Sequence, residues 1–121
     1  MSKMSEQLAE ALNAYQTDIE LWGTRNFGGS NGLGALAPMM GIVEEVGELY
    51  HTRLKTLQGI RGAADGSDVD LEEMDALGDL LVYMLHYCAT RNLSLASCFL
   101  MAWDEVKDRD WIKYPKTGKP A

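Results

Sequence analysis

The chain has 121 residues, of which 46% are apolar and 24% charged, with a formal net charge of −7. These values suit one globular domain with a modest core, residues 1–121, and exclude a disordered chain. They also speak against binding a nucleic acid polymer through its phosphates, which needs an excess of positive charge.

No apolar run approaches the roughly 18 residues of a spanning helix, and "MSKMSEQLAEAL" lacks a signal peptide's apolar stretch. No membrane association and a cytoplasmic location are therefore expected. Cys88 and Cys98 lie among apolar residues without C-x-x-C spacing, which predicts free core thiols rather than zinc ligands or a disulfide.

In chain order, four helical segments appear, with almost no strand signal. Ser5 suits the N-cap of a first helix reaching about Arg25, with Leu8, Leu12, Tyr15, Ile19 and Trp22 recurring at steps of three and four. The glycine-rich stretch "NFGGSNGLGAL" lacks the G-K-[ST] ending of a P-loop and any preceding strand, so it reads as a connector or lid. Pro38 suits the first turn of a second helix to about Leu57, with Ile42, Val43, Val46, Leu49, Tyr50 and Leu54 as its buried stripe. "GIRGAADGSDV" reads as a linker. Asp70 with Glu73 resembles a capping box opening a third helix over about 71–90, and Asn92 and Ser94 mark the break before a fourth over about 95–110. A basic tail follows from about 112. Lys107, Arg109, Lys113, Lys116 and Lys119 are five of the eleven basic residues, as a frayed, soluble end or an anion-binding segment would show.

Within "GIVEEVGELYHTRLK", Glu44, Glu45 and Glu48 fall on one third of the second helix at ~100° per residue, opposite Val46, Leu49 and Tyr50. A solvated face would look the same. The third helix shifts the balance. "DLLVYMLHYC" is apolar around its whole circumference, which predicts burial on nearly every side, and Glu72, Asp75 and Asp79 line one face leading into it. A carboxylate at the mouth of an apolar core requires a cation, because an unpaired buried charge costs several kcal/mol or protonates. Antiparallel packing of these helices would merge the two acidic faces into an all-oxygen cage suited to Mg²⁺ or Mn²⁺ rather than Zn²⁺. Mg²⁺ held by carboxylates usually shares its shell with substrate phosphates, which points to phosphoryl chemistry. Gly47 and Gly78 adjoin the acidic residues, where each could admit a packed helix or a ligand.

"EEVGEL" followed by "DALGDLLVYM" resembles the MazG-like, all-α nucleoside triphosphate pyrophosphohydrolases, whose pattern is E-E-x-x-E on one helix and E-x-x-D on the next. The resemblance covers roughly residues 15–115, and "WGTRNF" and "AWDEVKDRDW" look most like the small phage-type members. It implies a four-helix bundle completed by oligomerisation and hydrolysis of an NTP or dNTP to monophosphate and pyrophosphate. Glu44, Glu45, Glu48, Asp75 and Asp79 would hold the metal, with Glu44 and Glu45 also serving catalysis by orienting water. Where the family has Glu, this chain has Ala76, so Asp75 one residue earlier takes the displaced position and Glu72 is a possible helper. Lys107 and Arg109 would meet the outer phosphates. Trp22 could stack on a base and Asn26 bond its edge, and the likeness to phage-type members suggests a guanine or other purine nucleotide, dGTP or GTP first.

Two readings compete. A ferritin-like di-iron protein would need two E-x-x-H motifs; Glu48 to His51 supplies one, and His86 has Tyr83 three positions before it, so a core histidine explains it better. A non-catalytic helical adaptor would also show an acidic surface. The surplus of apolar surface on four short helices predicts a homodimer or homotetramer.

Overall fold

The computed structural model describes residues 1–28, 34–60 and 69–121, and every regular element among them is an α-helix. α1 spans Lys3–Phe27, α2 Leu36–Gln58, α3 Val69–Thr90 and α4 Leu95–Val106. Most of the glycine-rich connector and of the linker before α3 lies outside the described residues.

The termini show which local signals prevail. Ser2, not Ser5, caps α1, its hydroxyl accepting the Ser5 backbone N–H at 3.0 Å. α2 opens at Leu36 with Pro38 in its first turn and closes at Gly59, which takes the left-handed conformation (φ 66°) and donates to the carbonyls of Lys55 and Thr56. Asp70 stands inside the first turn of α3 rather than capping it. Ser94 caps α4 through the Ser97 N–H.

α4 ends at Val106, short of the expected 110, because Asp110 binds its own downstream backbone: its Oδ1 accepts the N–H groups of Ile112 and Lys113. The basic tail is consequently folded back, not frayed. Asp110 N–H donates to the Gly118 carbonyl at 2.8 Å, and Lys119 Nζ reaches Glu105 at 3.2 Å.

α3 is the central helix, packing on α1, α2 and α4. Its pairing with α2 is antiparallel, with Gly41 set against Tyr83 while Glu48 and Thr52 share a cavity wall with Glu72 and Asp75. α1 also runs antiparallel to α3, placing Gly23 beside His86. Polar bonds lock the far end of α1 to the α3–α4 corner: Gln16 spans the Leu93 carbonyl (2.6 Å) and Leu95 N–H (3.1 Å), and Ser94 donates to Asn13 at 2.7 Å.

Among the described residues the buried core is small, consisting of Val69, Ala76, Leu85, Cys88, Ala89 and Ala96, with Pro38 fully buried as well. Two expectations about burial need correcting. α2 does not bury its predicted stripe: Val43, Val46, Tyr50 and Leu54 are exposed, and the helix instead turns Gly41, Glu45 and Thr52 inward. α3 is not covered on every side either, since Leu81 and Val82 remain exposed. The physical reason is shared. α2 and α3 meet through small and polar side chains, and among the described residues no further helix lies over their apolar outer faces. Cys88 is buried as expected, whereas Cys98 is exposed.

Candidate active site

The inward face of α2 brings the acidic residues together. Glu44, Glu45 and Glu48 from α2 and Glu72, Asp75 and Asp79 from α3 line one cavity of about 350 Å³, with His51, Thr52 and Ala76. Glu45 is the innermost, 9% exposed, and makes no hydrogen bond or ion pair among the described residues. Burial raises its pKa above the ordinary 4.5, and the charges of Asp79, Glu44, Glu48 and Asp75 push the same way. The Thr52 hydroxyl in the same wall donates instead to the Leu49 carbonyl at 2.7 Å.

Ala76 is 3% exposed in the same wall, so the position where the resemblance expects Glu does face the site, and Asp75 reaches it from the neighbouring position. Glu72 also lines the cavity. Among the described residues, no three His, Cys, Asp or Glu side chains stand close enough together to hold a metal ion as they lie. Like charges without a cation repel and splay apart. Six carboxylates with a single imidazole, His51, nevertheless make a donor set rich in hard oxygen, the kind that Mg²⁺ or Mn²⁺ takes.

A second cavity, of about 670 Å³, lies beside the acidic one, toward the C-terminal end of α1 and the start of α2. Glu45 and Asp79 belong to both walls. Beyond them the surface becomes aromatic and mixed, with Trp22, Phe27, Tyr83, His86, Val82 and Glu20 among the lining residues. Trp22 and Phe27 meet edge to face, ring centroids 5.5 Å apart.

Helix-interior glycines set the shape of this cavity. A methyl group on Gly41 would overlap the Tyr83 ring, and one on Gly23 would stand 2.6 Å from His86 Nε2. By contrast, nothing among the described residues lies within 4 Å of the corresponding position at Gly47 or Gly78, so neither serves as a close-packing glycine there. His86 is half-buried rather than sealed in the core, and burial lowers its pKa from 6.5 while the charge of Glu20 partly opposes that shift.

The other predicted substrate contacts are not gathered here. Asn26 lines neither cavity, and its side-chain nitrogen donates to the Trp22 carbonyl at 2.8 Å. Lys107 pairs with Asp104 at 3.0 Å, and Arg109 pairs with Glu105 at 2.7 Å and packs over Trp111. Neither basic residue lines a cavity. Sequence reasoning passed over Glu20, Tyr83, Gly23 and Gly41. The only signal for the glycines was their place inside helices, which Gly47 and Gly78 share.

No protein-family model, curated protein or solved structure compared with the chain matches it. The arrangement itself can do two things. Drawn closer together, the carboxylates could share a hard cation, and the adjoining aromatic side chains could flank a planar, partly apolar group.

Proposed function

We propose that the chain is a metal-dependent nucleoside triphosphate pyrophosphohydrolase, converting an NTP or dNTP to the monophosphate and pyrophosphate. The observation that carries this reading is that Glu45 and Asp79 line both an acidic cavity and an adjoining aromatic one. A nucleotide has the same two-part chemistry, with phosphates at one end and a planar base at the other. The motif resemblance to MazG-like enzymes supports the same reading.

Glu45, Glu48, Asp75 and Asp79, with Glu44, would hold Mg²⁺ or Mn²⁺, which when bound supplies positive charge against the phosphates and acidifies the attacking water. Glu44 and Glu45 orient that water for in-line attack and accept its proton. The aromatic wall, Trp22 included, holds the base and keeps bulk water from that end of the substrate. Lys107 and Arg109 would reach phosphates only on exchanging their carboxylate partners on α4. The exposed apolar faces of α2 and α3 fit a homodimer, or a dimer of dimers, in which a second copy covers them.

The test is incubation of the protein with each NTP and dNTP in Mg²⁺, Mn²⁺ or chelator, with products separated by anion exchange. Metal-dependent monophosphate plus pyrophosphate, lost in Glu48→Gln and Asp79→Asn, is the expected result. A folded protein that turns over no nucleotide, and whose stability ignores divalent metal, would favour a non-catalytic adaptor; the wide exposed apolar surface is the observation on that side.

A further inference from the structure

We propose that Cys88 on α3 and Cys98 on α4 form a reversible, peroxide-sensitive disulfide that staples the two helices together. The inference is independent of the hydrolase reading and concerns the chain's two cysteines, both free thiols here.

The corner between α3 and α4 brings them together. Cys88 sits in the last turn of α3, and its carbonyl accepts the N–H groups of Arg91 and Leu93 at 3.1 and 2.9 Å, so the chain turns back directly beside it. Cys98 sits in the first turn of α4, its N–H donating to the Ser94 carbonyl at 3.0 Å. Ala89 and Ala96, one on each helix, are both buried, as small residues are where helices approach closely. α1 braces the corner from outside: Gln16 holds the Leu93 carbonyl and the Leu95 N–H, and the Ser94 hydroxyl donates to Asn13. The two thiols therefore meet across a turn that is held in place. Burial raises the pKa of the Cys88 thiol, and the Cys98 thiol beside it raises it further by charge and by a hydrogen bond.

Their unequal exposure suits two roles. Cys98 is open to an oxidant, whereas Cys88, 5% exposed, is reached through its neighbour. The Cys98 thiolate attacks one peroxide oxygen, the O–O bond breaks, and the departing oxygen leaves as water, giving a sulfenic acid. The Cys88 sulfur then attacks the Cys98 sulfur, the S–O bond breaks, and the hydroxide takes the Cys88 proton and leaves as a second water. Two thiols and one hydrogen peroxide become one disulfide and two waters, the sulfurs giving up the two electrons that the peroxide gains. A dithiol reductant reverses the bond.

The bond would tie α4, which packs sparingly on α3, to the central helix and would restrict the unfolded chain. Ala89 and Thr90, next to Cys88, line the larger cavity, so the staple would also stiffen one end of that wall.

The experiment treats the full chain with a small excess of hydrogen peroxide, alkylates the remaining thiols, and maps the products by mass spectrometry beside thermal unfolding at one protein concentration. The native protein should lose two hydrogens, yield a Cys88–Cys98 linked peptide, and regain both thiols in dithiothreitol. Its melting temperature should rise by roughly 5–15 °C on oxidation, as closing a short loop predicts. Cys98→Ser, a change at the exposed position, should abolish the link and the rise and leave Cys88 reduced. In Cys88→Ala, dimedone should trap a sulfenic acid at Cys98 that it does not trap in the native protein. Oxidation of Cys98 to a sulfinic acid or to a bond between two copies, with Cys88 still alkylated in the unfolded native chain, overturns the proposal. So does a Cys88–Cys98 link that leaves the melting temperature unchanged or lowers it.

Discussion

Glu45 on α2 and Asp79 on α3 are the residues common to both cavities, and Asp79 contributes the strongest of the neighbouring charges that raise the Glu45 pKa. Their closeness has an energetic meaning. Without a cation the pair opposes folding, and a cation held between the two would offset that cost.

Glu45→Gln should therefore raise the melting temperature of the metal-free protein at pH 7 while removing most of the stabilisation that Mg²⁺ or Mn²⁺ gives the native protein. Turnover should fall by roughly 10²-fold or more, the scale of losing a group aimed at transition-state charge. Thermal unfolding with and without metal, beside product assays, checks both. Destabilisation of the metal-free Gln variant would contradict the unpaired-charge account.

The pH dependence follows with a definite sign. The folded chain holds the Glu45 proton more tightly than the unfolded chain, so this group's contribution to stability is fully present below 4.5 and is lost as pH rises through the raised folded value. In chelator, the native protein should lose stability relative to Glu45→Gln over that rise, and saturating metal should shrink the difference. Denaturant titrations at several pH values measure it.

Gly23 and Gly41 should behave unlike Gly47 and Gly78. Gly41→Ala drives a methyl into the Tyr83 ring and should cost ~1–3 kcal/mol, the usual scale of overpacking. Gly47→Ala and Gly78→Ala meet open space within the chain and should stabilise it by about 0.5–1 kcal/mol through helix propensity. Chemical denaturation of the single variants separates the two classes.

Val43 is 70% exposed and Tyr50 74%, on the outer face of α2. If a second copy covers that face, Val43→Glu with Tyr50→Glu should convert an assembly into monomers in light scattering, because burying two unpaired charges outweighs the lost apolar contact. A native protein that is monomeric at micromolar concentration would refute the assembly.

The four helices were legible because each carries apolar periodicity, and Ser94 opens α4 and Gly59 closes α2 as local chemistry demands. Burial was less legible. Periodicity identified the α2 stripe of Val43, Val46, Tyr50 and Leu54, but it could not say whether this chain would cover the stripe. The acidic motif located the carboxylates that line one cavity, since i and i+4 spacing fixes a shared face. The aromatic cavity was opaque because it depends on contacts such as Gly23 against His86, which join residues distant in sequence.

α3 packs against all three other helices, while α2 packs chiefly against α3. In hydrogen exchange this divides the molecule into two tiers. Backbone amides in the middle of α3, around Leu85 and Cys88, can be released only when every partner lets go, so they should exchange through global unfolding and set the upper limit of protection. α2 is held by one chief neighbour, but through the most extensive helix pairing among the described residues, so its inward amides should be protected nearly as well, whereas α4, which meets α1 and α3 more sparingly, should open first.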